Sequence, residues 1–465
     1  MPIVILYIWS IFLPFLLGFA LLSVFSMGKR LFTFSQKIFL SFFVGASIFS
    51  MSLFLLSIFH LKWDRVWISI LFSFISAICF IYYIKKINKN LNLTIPKINR
   101  AHLRINLVNY LLVALIIFKL FSIFFIALDK PVLNFDAWTN WSLRAKVFYF
   151  EKGIPLNRND PYFLGGGGHI NYPLQIPILE SWIYTSTGVW DDKFVKIISP
   201  LLLLFFLIFF YLFIYQFIGS TKALIFSFIF ISIPLISYHA AADYADLPVG
   251  LYIGIATMLF YLYLTRTDNR YLMLSSLMFG FAGWIKNEGS FLFAIVILVL
   301  MAIFVRQKGF KNIKKLLNLR SIILALVPGL IFLLPWLIFK SKLGLGMSNL
   351  GTESNLIGGI GIHFEIVPNI LKNLLSLSNF SLLWIVAIIS YLFYQKEIKE
   401  SKLGIFITLV FCCFLGYIFI YLFTDNYVMI LNDTIVQRNL LTIAPSIFWV
   451  TAFIIGNYLR NKGTK

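Results

Sequence analysis

The chain has 465 residues, of which 60% are hydrophobic and only 12% are charged, whereas a soluble domain carries about 25% charged residues. With a mean hydropathy of +0.90, the composition excludes an ordinary soluble protein, because one core could not hide this much apolar surface from water. The net charge of +21 would suggest nucleic acid as a partner of a soluble protein. Here the basic residues lie in short stretches between apolar runs, so membrane topology explains them and no nucleic-acid partner is expected.

Windows of about 20 apolar residues predict an all-α polytopic membrane protein with about thirteen transmembrane helices. The first run is too long for a cleavable signal and lacks its basic start, so we expect it to be a retained span. The predicted spans are 4–26, 38–59, 66–84, 106–128, 196–218, 222–238, 247–265, 271–285, 290–305, 321–339, 380–395, 403–423 and 439–459.

The charges between these spans predict the topology. With the N-terminus outside and the C-terminus inside, 24 of the 39 basic residues lie on the inner side, and 15 of the 18 acidic residues lie on the outer side. This segregation places the longest polar stretch, Asp129 to Lys196, on the outer face. We expect multi-pass insertion in a membrane of the bacterial cytoplasmic (inner) type, with an outward-facing site.

The chain divides by its polar loops into three predicted parts. Residues 1–105 form N-terminal transmembrane helices, 106–305 form a module that carries the outer loop 129–196, and 306–465 form C-terminal helices with an outer loop at 340–378. The three cysteines lie in apolar runs without metal-ligand spacing, so we expect buried thiols: Cys79, Cys412 and Cys413.

Within the outer loop, two short helices are predicted. Trp138, Trp141, Ala145 and Phe148 recur at helical spacing, which predicts an amphipathic helix along the membrane surface. A second helix is predicted over residues 174–187, after Pro173. The four glycines at 165–168 match no phosphate-binding motif and indicate a flexible segment or lid.

Asp136 follows the fourth span closely and is the first candidate for catalysis. A carboxylate at the outer membrane boundary could act as a general base toward an attacking hydroxyl. The alternative is the N-cap of the helix that follows, and one carboxylate can serve both roles.

A second acidic point is Asp243 and Asp246, in a short outer loop. Their spacing predicts two carboxylates on one face of a helical turn, where they could hold an acceptor, orient a sugar or ligate a divalent cation. A solvated turn before Pro248 is the alternative.

Cations for a phosphate are predicted from three places. Lys286 lies in the tight turn with Glu288 between two short spans, where a charge is costly unless it is used. Arg438 begins the last span and could grip a phosphate with two donors, and Arg144 of the outer loop is a further candidate. Lys286 could instead pair with Glu288 and extend to water.

Other polar residues are secondary candidates. His169 and Tyr172 of the outer loop, with Glu288, could contact a sugar or an acceptor, and Lys119 is a charge midway along the fourth span. No two histidines have the spacing of a metal site, so zinc is not expected, whereas a divalent cation stays open as a cofactor.

The order of these features resembles the GT-C superfamily of polyprenyl-phosphate-sugar glycosyltransferases, over about residues 107–305. The resemblance is to the branch with protein O-mannosyltransferases and the aminoarabinose transferases of lipid A. It consists of an acid just after a span, an amphipathic outer-loop helix, a Tyr-Pro stretch, a second acidic site and a Lys-x-Glu-Gly turn: Asp136, Tyr172-Pro173, Asp243/Asp246 and Lys286–Gly289. The chain departs from many relatives in having Ala137 where they carry a second acid.

The resemblance implies transfer of a sugar from a polyprenyl-phosphate donor to a hydroxyl of a protein, lipid or glycan, with inversion, at the outer membrane face. Asp136 would be the base, and Lys286 and Arg438 would stabilise the departing lipid phosphate. Two alternatives stay open at this point. A ligase or polymerase of lipid-linked glycans would depend on His363 and the late outer loop, and a lipid or polysaccharide transporter would need charges along a mid-membrane path.

Overall fold

A computed structural model describes residues 2–28, 31–88, 106–167, 169–305, 319–346, 362–424 and 426–462, and this part of the chain contains helices and no strand. Parts of the predicted basic inner segments (89–105 and 306–318), residues 347–361 of the predicted outer loop at 340–378, and Gly168 lie outside the described residues. The helices are α1 (Ile3–Phe25), α2 (Phe34–Ile58), α3 (Arg65–Asn88), α4 (Leu107–Asp129), α5 (Ser142–Glu151), α6 (Gln175–Thr187), α7 (Ile198–Ile218), α8 (Ser220–Ser232), α9 (Pro234–Ala242), α10 (Asp246–Arg266), α11 (Asn269–Ile285), α12 (Asn287–Val305), α13 (Leu319–Lys342), α14 (Val367–Leu375), α15 (Leu377–Phe380), α16 (Leu383–Phe393), α17 (Gln395–Glu400), α18 (Gly404–Phe423), α19 (Tyr427–Leu431) and α20 (Val436–Lys462).

Ten helices among the described residues are long and apolar enough to cross a membrane, which makes the chain an integral multi-pass protein; the bent pair α8–α9 raises the number to eleven. This is fewer than the thirteen predicted spans. All thirteen positions are helical, but α11 has 17 residues and α16 has 11. At 1.5 Å per residue these two reach only about 26 and 17 Å, short of a hydrocarbon core of about 30 Å.

The bend between α8 and α9 has a local cause. Pro234 opens α9 and biases Ile233 before it away from the helical region, and Ile233 adopts extended dihedrals (φ −63°, ψ 120°). The two helices therefore differ in direction by 63°. The bend carries the end of α9 toward the start of α10.

Two helices form the centre of the bundle. All residues in the apolar stretch of α10 are buried, and so are 94% of those in α20. In α4 only 11% of the residues in this stretch are buried. α10 packs against α11 and α20, and α11 packs against α13. Charges at the ends of α10, α11 and α20 are therefore forced close together at one end of the bundle.

Small residues allow the first two helices to cross closely. A Cβ added at Gly45 of α2 would lie 1.8 Å from the Pro14 carbonyl oxygen, and one added at Gly18 of α1 would lie 1.9 Å from the Ser41 carbonyl oxygen. Such contacts between backbones are a common way of packing helices in membranes. The crossing continues the core into the N-terminal helices, which share one apolar cluster with the rest of the chain.

The two predicted outer-loop helices are present as α5 and α6. A π-helical turn, Ala137–Trp141, precedes α5. The apolar stripe faces the protein, because Trp141, Ala145 and Phe148 are fully buried and α5 packs against α6, whereas the position along the membrane surface stays a prediction. Trp138 alone of the stripe is largely exposed.

Candidate functional site: a charge cluster where four chain segments meet

Asp246 is the centre of a charge cluster at one end of the bundle. It is the first residue of α10 and is fully buried. Its Oδ1 accepts a hydrogen bond from Lys286 Nζ at 2.7 Å, and its Oδ2 accepts from Arg438 Nε at 3.1 Å. The His239 Nδ1 atom lies 3.8 Å from the same Oδ2. A buried carboxylate held by two cations stays ionised, so Asp246 anchors both of them.

Arg438 links this anchor to Asp136. Its Nη2 is 3.0 Å from Asp246 Oδ2 and also donates to Asp136 Oδ2, which lies 302 residues away in the chain. The guanidinium stands over the ring of Tyr244. The exposed fraction of the side chain increases from 0% for Asp246 to 21% for Arg438 and 24% for Asp136. The Asp136–Arg438 pair is therefore the accessible edge of the cluster.

Asp136 has no capping role here. It is the residue before the π-helical turn, with helical dihedrals, and its side chain makes no hydrogen bond to a backbone N–H of the helix that follows. Its recorded partner is Arg438. The N-cap interpretation is therefore not supported, and the general-base interpretation stays a prediction.

The turn between α11 and α12 supplies the second cation. Lys286 Nζ lies 2.8 Å from Glu288 Oε1 and 5.5 Å from the centre of the Tyr172 ring. The sequence predicts, as one alternative, that Lys286 pairs with Glu288 and extends to water. The pair is present, but Lys286 is only 3% exposed and so does not extend to water. Burial raises the pKa of Tyr172, whose phenol stays protonated beside this pair.

The expectation that Asp243 and Asp246 share one face of a helical turn is wrong. Asp243 ends α9 in the left-handed conformation (φ 58°, ψ 42°), whereas Asp246 starts a new helix. Their side chains consequently reach different partners. Asp243 Oδ2 accepts a hydrogen bond from Ser142 Oγ at 3.1 Å, on the outer-loop side.

Asp243 belongs to a second, sealed cluster with Glu180 of α6. Both carboxyls are fully buried, burial raises the pKa of Asp243 to about 6, and burial followed by the charge of Asp243 raises the pKa of Glu180 well above its usual range. Neither Glu180 oxygen accepts a hydrogen bond. A proton on Glu180 would provide the missing hydrogen bond, because the protonated carboxyl can donate to Asp243.

Arg144 contacts the outer loop itself, and its predicted role at a lipid phosphate stays a prediction. It is fully buried, and its Nε and Nη1 donate to the carbonyl oxygens of Leu164 at 2.7 Å and Tyr172 at 3.2 Å, with a longer contact to His169 at 3.5 Å. The guanidinium is thus held by backbone carbonyls of the loop through Nε and Nη1, while its buried Nη2 has no hydrogen-bond partner among the described residues. Its function is to shape the segment that carries Tyr172.

The glycine run is a tight passage over α5 rather than an open lid. Gly165 has φ +94°, and a Cβ there would lie 2.7 Å from Arg144 Cβ. Gly167 has φ +82°, and a Cβ there would lie 2.8 Å from the Thr139 carbonyl oxygen. Only glycine combines this conformation with this approach.

Lys340 ties the loop to the α11–α12 turn. This buried lysine of α13 donates to the Asn171 carbonyl oxygen at 3.0 Å and lies 3.4 Å from Asn287 Oδ1. Asn287 in turn donates to the same carbonyl at 3.4 Å. The loop residues before Tyr172 are thus fixed against the turn that carries Lys286.

The remaining predicted residues lie outside the cluster. The His169 ring packs edge-on against Tyr172, which lies between it and the ion pairs. His363 stacks on Tyr427 and pairs with Glu365. In the described part of the chain, none of the cluster's contacts involves Lys119, and no group of three or more His, Cys, Asp or Glu residues is arranged to hold a metal ion.

Sequence reasoning missed Glu180 and Lys340. Glu180 is the only charge in the stretch 173–190, and a lone carboxylate in such an apolar run is a signal that could have found it. Lys340 resembles any basic residue at the end of a span, and only the packing of α13 against the loop distinguishes it.

No protein-family model, curated protein or solved structure matches this chain. The site is therefore interpreted from its own residues and geometry.

Proposed function

We propose that the chain is a membrane glycosyltransferase that moves a sugar from a polyprenyl-phosphate donor to a hydroxyl acceptor, with Asp136 as the general base. The observation that carries the proposal is the meeting of Asp136, Arg438 and Lys286 around Asp246, from four separate segments of the chain. A base beside cations that can receive a phosphate is the set of groups that this reaction needs.

The accessible edge and the sealed centre have different tasks. Asp136 and Arg438 are each about one-fifth exposed, so a substrate can reach them, whereas Asp246 and Lys286 lie beneath. Asp246 is thus a positioning residue that holds the two cations in place. Asp136 is the carboxylate free to exchange its partner.

Donor binding would provide that exchange. The planar guanidinium of Arg438 binds a phosphate as well as a carboxylate, with two donors. When the donor phosphate takes the Arg438 Nη2 atom, Asp136 loses its partner and becomes available to an acceptor hydroxyl. Two cations are shared among three carboxylates in the cluster, so the Asp136 carboxylate is freed for the acceptor only when its pair with Arg438 breaks.

The reaction itself balances without a further reactant. The acceptor oxygen attacks the anomeric carbon opposite the phosphate, the bond from that carbon to the phosphate oxygen breaks, and its electron pair stays on the leaving polyprenyl phosphate. The hydroxyl proton passes to the Asp136 carboxylate. Attack from the opposite side inverts the anomeric centre.

The surroundings of Asp136 suit a lipid-linked donor. Leu133, Phe135 and Trp138 flank it and are 64–70% exposed, and α4 just before them exposes most of its surface. Aromatic and aliphatic side chains at this level accommodate a polyprenyl chain next to the ion pairs.

Sugar transfer in membranes that contain the Asp136→Asn variant tests the proposal. We expect a fall of at least about 10²-fold in rate with donor binding retained, because the amide cannot take the proton. Asp433→Asn is the matched control, since Asp433 is an exposed carboxylate paired with Lys372 in another loop. Near-normal transfer by Asp136→Asn would remove Asp136 as the base.

A further inference from the structure

A cavity lies at the same end of the bundle as the charge cluster. None of the residues that line it belongs to that cluster. Its volume is about 550 Å³, well within the range of ligand sites. It is formed by the turn before α3, the end of α5 and the end of α6. The lining residues are Lys62, Trp63, Asp64, Arg65, Val66, Tyr149, Phe150, Lys152, Thr185 and Gly188.

The wall of this cavity is cationic. Lys62, Arg65 and Lys152 carry three positive charges, and Asp64 carries the one negative charge of the lining. Asp64 is already engaged, because its Oδ1 accepts from the backbone N–H groups of Val66 at 2.8 Å and Trp67 at 3.3 Å and so caps α3. The two excess positive charges therefore face the cavity without a carboxylate of its own wall to neutralise them.

Two hydrogen bonds to backbone carbonyl oxygens hold these three segments together. The Trp63 N–H donates to the Lys152 carbonyl oxygen at 2.6 Å, and Arg65 Nη1 donates to the Ser186 carbonyl oxygen at 3.2 Å. Lys152 has φ +51°, a left-handed conformation in which helices usually end on glycine. A lysine is sterically unfavourable in this conformation, and it places a positive charge in the wall of the cavity.

The cavity opens at the head of a lipid-facing stripe. Val66 lies in its wall and starts a row of side chains four residues apart along α3, continued by Ile70, Phe74 and Ile78. All four are 50–65% exposed. A molecule with a charged head in the cavity could thus lay an apolar chain along α3.

We propose that this cavity binds the headgroup of an anionic phospholipid from the adjacent leaflet, with an acyl chain along the α3 stripe. The phosphate accepts hydrogen bonds from Arg65 and the two lysines, which favours anionic over zwitterionic headgroups. The proposal is independent of the glycosyltransferase activity. A water-soluble phosphate ester shares the headgroup chemistry but cannot use the stripe.

Native mass spectrometry of the full chain in detergent tests the proposal by counting bound phosphatidylglycerol and phosphatidylcholine. We expect the wild type to retain phosphatidylglycerol preferentially, and Arg65→Gln and Lys152→Gly each to weaken it about tenfold or more. Lys152→Gly is the decisive variant, because glycine suits the backbone at φ +51° and the fold should be kept; a melting curve checks this.

The matched control is the double substitution Lys85→Gln/Lys86→Gln, which removes two charges from the opposite end of α3. It should leave phosphatidylglycerol binding unchanged. Equal binding in the wild type and Lys152→Gly, or equal retention of the two lipids by the wild type, would overturn the proposal. Displacement of phosphatidylglycerol by an equal concentration of glycerol 1-phosphate would also overturn it, in favour of a soluble phosphate ester.

Discussion

Glu180→Gln should stabilise the folded protein above about pH 6 and flatten the pH dependence of its stability. Glu180 and Asp243 are buried together between the outer loop and the start of α10, and at high pH both would be ionised without water. The glutamine amide can donate to Asp243 at every pH, which the glutamate does only while it holds a proton.

The sign follows from the pKa values of the pair. Burial raises the pKa of Asp243 from 3.8 to about 6, and burial with the charge of Asp243 raises that of Glu180 well above 4.5. The folded protein therefore holds these protons more tightly than the unfolded chain does. The stabilisation is complete below about pH 4 and is lost as the pH rises through the folded values.

The size of the effect is set by the same values. For Asp243 the difference between 3.8 and about 6 corresponds to about 3 kcal/mol of stability, lost between pH 4 and pH 7. Glu180 adds a loss of the same sign. In the Glu180→Gln variant the loss that comes from Glu180 should disappear, whereas the loss from Asp243 should stay, because burial rather than Glu180 raises the pKa of Asp243.

The assay is the thermal melting midpoint in detergent from pH 4 to pH 8. We expect the wild-type midpoint to fall across this range and the Glu180→Gln midpoint to fall less, by the contribution of Glu180, so that the variant melts at the higher temperature at pH 8. Glu151→Gln, which changes an exposed glutamate of α5, should follow the wild type. Parallel curves for wild type and Glu180→Gln would refute the shared proton.

Three further substitutions test the packing around the site. Lys286→Met should lower the free energy of unfolding by about 3–5 kcal/mol in denaturant titrations, because Asp246 and Glu288 lose a buried cation; loss below 1 kcal/mol would contradict this. Arg144→Met should release the outer loop, seen as faster proteolysis between α5 and α6 than in the wild type, since two strong bonds to loop carbonyls are lost. Gly165→Ala should destabilise by at least about 2 kcal/mol in the same titrations, because a Cβ would meet Arg144 at 2.7 Å and the backbone is left-handed, and a variant as stable as the wild type would argue against this close approach.

Much of the fold follows from the sequence, because crossing a membrane imposes its own pattern. A helix must satisfy its backbone within an apolar run of about 20 residues, so α1, α2 and α10 can be read from hydropathy alone. The outer-loop helices α5 and α6 follow from periodicity and Pro173 in the same way. The helix α11 was also predicted, at 271–285, but its 17 residues are too few for a full span, because it packs between other helices and needs no full membrane length.

The residues of the site were predicted individually, but their partners were not, apart from the Lys286–Glu288 pair. The sequence marks Asp136, Lys286 and Arg438 as charges at the ends of spans, where a charge is costly unless it is used. That Lys286 and Arg438 converge on Asp246, and that Asp136 joins them through Arg438, depends on how α10 and α20 pack. That Asp243 turns away to Glu180 depends on the left-handed end of α9. Contacts between residues 302 positions apart are a property of the packed bundle, and so only the tertiary structure decides them.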